Sequence, residues 1–166
     1  CLQRALWLAQ RFEPQRVPDY TATLWQLKEA ALHHLWDNER QVFISGAVRQ
    51  VSWASQIWLV LAEVGTAGQR QALMRRLQQQ PPPIAMNTPY IRHHHIVALL
   101  QSGLREEAVA EIKAYWGAMV TYGADTFWEI FDPQHPDFSP YGSKLINSYC
   151  HAWSCTPAWF IRQYGL

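Results

Sequence analysis

The chain has 166 residues, enough for one domain with a sizeable core, since a globule of this size buries roughly 70% of the surface its unfolded chain exposes. Its 14 Lys and Arg stand against 13 Asp and Glu, a net charge of +1, which excludes a strong electrostatic footprint for nucleic acid or an anionic membrane. Charged residues make up only 16% and aromatics 13%, with nine Trp, so ring packing and ring binding dominate its chemistry.

No apolar run approaches the roughly 20 residues needed to span a bilayer; the longest is Ile57 to Ala62. No basic start followed by an apolar stretch marks a signal peptide. The first residue is Cys1 rather than Met, from which we expect a segment lying inside a longer reading frame. Three cysteines make no disulfide framework. We read them as free thiols, which leans toward a reducing, cytoplasmic compartment.

The dominant period is helical. Leu2, Leu6, Ala9 and Phe12 mark a short amphipathic segment that stops by Pro14. A second runs from about Asp19 to Trp36, with Leu24, Leu27, Ala31, Leu32 and Leu35 as its stripe. A polar turn follows, and then Val42-Phe43-Ile44, β-prone but too short to imply a sheet. Val51 to Val64 reads as a helix apolar almost all round, hence buried on most faces, with Gly65 as its C-cap. Gly68 to Gln79 is a polar helix ended by Pro81-Pro82-Pro83. Pro89 opens a fifth helix behind Thr88 as N-cap, running to Gly103. The sixth spans Arg105 to about Tyr122, with Glu106 and Glu107 favoured by the macrodipole in its first turn. Residues 123–148 are a long connection, and connections of that length tend to be functional. A last helix is expected from about Tyr149 to Gln163. Apolar helices alternate with more polar ones, as in αα-hairpins that stack or close into a toroid. Trp7, Trp25, Trp36 and Trp116 fall on helical spacings and are expected to pack helices.

Two stretches carry chemistry. Tyr122-Gly123-Ala124-Asp125-Thr126-Phe127-Trp128-Glu129 sets a carboxylate after two large aromatics, at the end of a long helix. Aromatic faces bind the apolar faces of sugar rings, and a carboxylate beside them can do acid or base work at an anomeric carbon. Asn147 to Ser154 is a second cluster of the same character. The run His93-His94-His95 invites a metal reading, but consecutive helical residues point about 100° apart and cannot converge on one ion.

Ala98-Leu99-Leu100-Gln101-Ser102-Gly103, Trp116-Gly117-Ala118-Met119 and Gly123 to Glu129 resemble the six-hairpin glycosidases, and most closely the catalytic domain of the bacterial α-L-rhamnosidases of glycoside hydrolase family 78. Cys150-His151-Ala152-Trp153-Ser154, followed by Pro157, resembles that family's Cys-His-Gly-Trp-Ser block, with Ala in place of Gly. The resemblance implies an all-α fold, helical hairpins forming part of an (α/α)6 toroid. It places residues 1–166 as a single domain, the C-terminal portion of the catalytic domain.

The resemblance also implies inversion at the anomeric carbon of terminal α-L-rhamnosides, which needs two carboxyl groups about 6.5–9.5 Å apart. By its match to the family's Trp-Glu position, Glu129 is the general base. The family's general acid lies in an upstream acidic block with no counterpart here, so the acid is expected outside this chain. His151 resembles the histidine that faces the sugar, and Trp128 and Trp153 are candidates for stacking on it. Trp53 and Gln56 head one apolar helix, and Tyr90, Arg92 and His93 open another, which makes them further substrate-binding candidates. The chemistry calls for no cofactor and no metal. The expected partner is an L-rhamnose-containing glycoside, with no nucleic acid and no membrane. Self-association, or pairing with the rest of the barrel, is expected through uncovered helix flanks. The rival readings are a non-catalytic sugar-binding remnant and a helical interaction scaffold.

Overall fold

The structure, a computed structural model, describes residues 1–166. Helices dominate, as expected, in two compact units, Cys1–Pro83 and Ile84–Leu166.

In the first unit, α1 (Leu2–Phe12) packs on α2 (Val17–Leu35) after a 3-10 turn at Pro14–Arg16. Pro18 lies inside the first turn of α2, where its missing N–H costs nothing. Two two-residue strands follow, β1 (Trp36–Asp37) and β2 (Val42–Phe43), paired antiparallel. The stretch thought too short for a sheet thus forms a minimal hairpin. Asp37 explains why: its Oδ1 accepts from the amides of Glu39 and Arg40, both at 3.0 Å, which closes the turn.

Helix α3 (Trp53–Leu61) starts at Ser52, whose hydroxyl accepts from the Ser55 amide. Gln56 is fully buried and clamps β2. Its Oε1 accepts from Phe43 N at 2.8 Å, and its Nε2 donates to Phe43 O at 2.7 Å. This amide serves the fold instead of facing a ligand. Trp53 is likewise buried. Trp58 on the same helix is exposed, so α3 is less enclosed than its composition suggests.

The end of α3 differs from expectation. Glu63 takes the left-handed position directly after the cap residue Ala62, at φ 59, while Gly65, left-handed too at φ 77, lies two residues beyond it. Glu63 N bonds Val60 O and Val64 N bonds Leu59 O, which closes the helix. A non-glycine residue there costs about 1 kcal/mol. The Glu63 carboxylate offsets it by pairing with Lys28 at 3.0 Å and accepting from Gln3 at 3.2 Å. Gly65 has another use: a Cβ there would sit 3.1 Å from Gln69 Oε1, which accepts from Thr66 N in the capping box that opens α4 (Ala67–Gln79).

Trp7 and Trp25 depart from expectation too. They are 42% and 64% exposed, and Trp7 lies under Arg11 at 3.9 Å. Helical spacing tells which face a ring lies on, not whether anything covers that face.

In the second unit, α5 (Pro89–Gln101) begins at Thr88, as expected, and packs on α6 (Arg105–Thr121). Between them Arg92 forms an ion pair with Glu111 and stands 4.4 Å over the Tyr115 ring. The guanidinium expected to bind substrate is engaged within this helix pair. After α6 the chain is irregular through residue 155, apart from 3-10 turns at Lys144–Ile146 and Ala152–Ser154. Helix α7 (Thr156–Tyr164) starts later than the expected Tyr149, with Pro157 in its first turn. Residues 148–151 use their backbone groups elsewhere, Ser148 O accepting from Glu129 N and His151 N donating to Phe127 O, and Pro157 fits the first turn, where its missing N–H costs nothing.

Burial pushes the Glu111 carboxyl up, but His95 and the Arg92 guanidinium outweigh it and hold the group at about 2, against 4.5 for an ordinary Glu. A lowered folded-state value stabilises in full above about pH 4.5, and that contribution is lost as pH falls toward 2. Glu111→Gln is therefore expected to cost on the order of 3 kcal/mol at pH 7. Urea unfolding should show the gap closing as pH is lowered; a gap independent of pH would contradict this.

Candidate functional site

The site grows from two irregular segments, 126–131 and 147–154, fastened to α6 by neighbouring aromatic side chains. Tyr115 donates its hydroxyl to Phe131 O at 2.8 Å, and Trp116 donates Nε1 to Ser154 O at 2.9 Å. Both rings are buried, and Phe131 is buried against Tyr115, Trp128 and Tyr122. The segments also bond each other: Glu129 N donates to Ser148 O at 2.8 Å, and His151 N to Phe127 O at 2.7 Å. Thr126 Oγ1 adds a bond to Tyr149 O. The two clusters singled out in the sequence are thus side by side.

Glu129 is held at four points. Its Oε2 accepts from Ser148 N at 2.9 Å and its Oε1 from the Tyr141 hydroxyl at 2.8 Å. Its backbone N–H goes to Ser148, and its carbonyl accepts from Trp153 Nε1 at 3.0 Å. The Ser148 amide and then the Tyr141 hydroxyl hold the Glu129 carboxyl below the usual carboxylate range, outweighing a small cost of burial. It is ionised at neutral pH and can accept a proton.

His151 and Trp153 stack, with ring centroids 4.3 Å apart and planes 29° off parallel. His151 Nδ1 accepts from Trp153 N at 3.4 Å, which leaves Nε2 to carry the proton. Tyr90, an exposed ring on the first turn of α5, lies 6.0 Å from Trp153. Trp153 therefore braces Glu129 and has His151 and Tyr90 beside it. Trp128 meets Phe131 and Tyr149 edge-on, at 5.7 and 5.1 Å, and so bridges the two segments.

A cavity of about 580 Å³ adjoins this cluster, lined by Trp116, Met119, Phe127, Cys150, His151 and Cys155 among others. Glu129 does not line it. Thr126 and Phe127 of its own segment and His151 of the other do line it, so the cavity stops short of the carboxylate and concavity alone would have missed it. All three cysteines are free and exposed.

The loop carboxylates Asp132 and Asp137 have local duties. Asp132 caps a turn, accepting from Gln134 N at 2.9 Å and contacting His135 at 3.0 Å. Asp137 pairs with Lys144 at 2.6 Å. The three consecutive histidines diverge: His93 packs on Phe160, His94 on Tyr90, and buried His95 lies near Glu111. Burial, with the neighbouring His94, takes His93 down to about 4. Sequence reasoning missed Tyr141, and it held Ser148 within its second cluster without giving it a role. Both lie in the irregular connection, where no periodicity points to a partner.

The chain is similar to a rhamnosidase from Klebsiella oxytoca with rhamnose bound, at 75% identity and a TM-score of 0.98, over 100% of this chain and 32% of that one. It shares its fold with a GH78 family rhamnosidase of Bacillus sp. GL1, at 24% identity and a TM-score of 0.79, over 97% of this chain and 18% of that one. No family model and no curated protein matches it. The chain thus spans about a third of the length of the Klebsiella protein.

Proposed function

We propose that this chain, which belongs to the family 78 rhamnosidases, carries the general-base half of an inverting α-L-rhamnosidase site. Its helical hairpins are part of that family's (α/α)6 toroid. In this reading residues 1–166 are the C-terminal portion of one catalytic domain, and the general acid comes from outside them. The substrate is a terminal α-L-rhamnoside.

Glu129 takes a proton from the water that attacks the anomeric carbon, while the acid protonates the leaving oxygen on the other face. His151 offers Nε2–H to a sugar hydroxyl, and Trp128 supplies ring surface beside it. Trp153 holds Glu129 by its carbonyl and keeps His151 in plane. One observation carries this reading: an ionised, exposed-side carboxylate gripped at both oxygens, in a chain 75% identical to a protein solved with rhamnose bound.

The uncovered flanks of α1 and α2, with Trp7, Phe12, Trp25 and Leu27 exposed, are contact surfaces for the remainder of the barrel or for a second copy. Light scattering of the isolated chain should show species heavier than the 19.3 kDa monomer. A monodisperse monomer would count against those contacts. In the full-length polypeptide, Glu129→Gln should lower kcat by about a thousandfold with KM nearly unchanged. Turnover within a few-fold of the parent, from a folded variant, would remove Glu129 from the mechanism.

A further inference from the structure

We infer that Tyr141 is a positioning residue for Glu129, its hydroxyl fixing the plane of the carboxylate from a separate loop. This rests on the general-base reading above and adds to it the group that aims the base.

The last torsion of a Glu side chain is broad and nearly free, so a carboxylate tied at one oxygen still swivels. Glu129 is tied at both. Ser148 N holds Oε2 at 2.9 Å and the Tyr141 hydroxyl holds Oε1 at 2.8 Å. A carboxylate accepts at about four sites, so two bonds fix its plane and leave capacity for the proton it must take. Orientation of this kind is where much of a base's rate advantage arises.

The loop that carries Tyr141 is built to deliver it. Asn147 Nδ2 holds Phe138 O at 3.1 Å, the Tyr149 hydroxyl holds Lys144 O at 2.9 Å, and Lys144 pairs with Asp137. Between these anchors Tyr141 N bonds Ser139 Oγ at 3.2 Å. Gly142 then turns the chain at φ 85, a conformation that favours glycine. The Tyr141 side chain is half-exposed and absent from the core, so packing does not account for it. The groups that face the carboxylate are the Tyr141 hydroxyl, the Ser148 amide and the His151 ring.

The test is Tyr141→Phe in the full-length polypeptide, assayed across pH beside Glu129→Gln. Loss of one hydrogen bond to a charged group should lower kcat about tenfold, with KM within about twofold. Removing a donor that favours the ionised form raises the carboxyl's proton affinity, so the acid limb of kcat/KM should move to higher pH. Thermal stability should be unchanged. An unaltered kcat and acid limb would overturn the inference. A loss of kcat with the limb unmoved would also overturn it, since that is what a merely structural role gives. So would a raised KM with kcat intact, which would make Tyr141 a substrate contact. If Glu129→Gln itself retains activity, the general-base reading falls and takes this inference with it. If Glu129→Gln is inactive and Tyr141→Phe matches the parent, only the inference falls.

Discussion

Tyr115 and Trp116, adjacent on α6, each donate a buried hydrogen bond to the carbonyl of a different loop. Consecutive helical side chains diverge by about 100°, so one turn of helix reaches two segments at once. Phe131 O and Ser154 O are the fixed points from which the two segments return toward each other. Without those bonds two buried polar atoms would lack partners, at roughly 1–3 kcal/mol each. The chain between α6 and α7 has little regular structure. It holds its shape because its backbone groups find partners in α6 and in each other.

Glu111 and Glu129, both in the second unit, are held below their ordinary range for different reasons and with different consequences. Glu111 lies between helices, pinned by Arg92 and His95, and its charge stabilises the α5–α6 pair. Glu129 lies at the surface of the loop cluster, pinned by an amide and a phenol, and its charge stays within reach of a ligand. Perturbed acidity alone would mark both as site candidates. The partners separate them: a guanidinium across a helix interface belongs to the fold, while neutral donors around an accessible carboxylate leave its charge unneutralised.

Much of the fold is legible in the sequence because helices announce their own period and caps. Thr88-Pro89 and the glycine after α5 sit where chain-order reading puts them. The failures have physical causes. The start of α7 slips to Thr156 because residues 148–151 bond to 126–129, a long-range effect invisible to local pattern. Glu63 replaces glycine at a helix end because Lys28 and Gln3 hold it there. Trp7 and Trp25 show that a ring on an apolar face need not be covered within the chain. In the site, Glu129, His151 and Trp153 are readable through family-like motifs. Tyr141 is not, because a loop residue that reaches its partner across the fold leaves no spacing to read.

The general-base role of Glu129 is tested most directly by chemical rescue. Glu129→Gly in the full-length polypeptide removes the base and opens space for a small anion. Azide needs no deprotonation and can attack the anomeric carbon from the face the water would use. With Glu129 as the base, azide restores cleavage of an activated α-L-rhamnoside and yields the β-L-rhamnosyl azide. No restoration in a folded variant, or an azide product of retained configuration, would contradict that role.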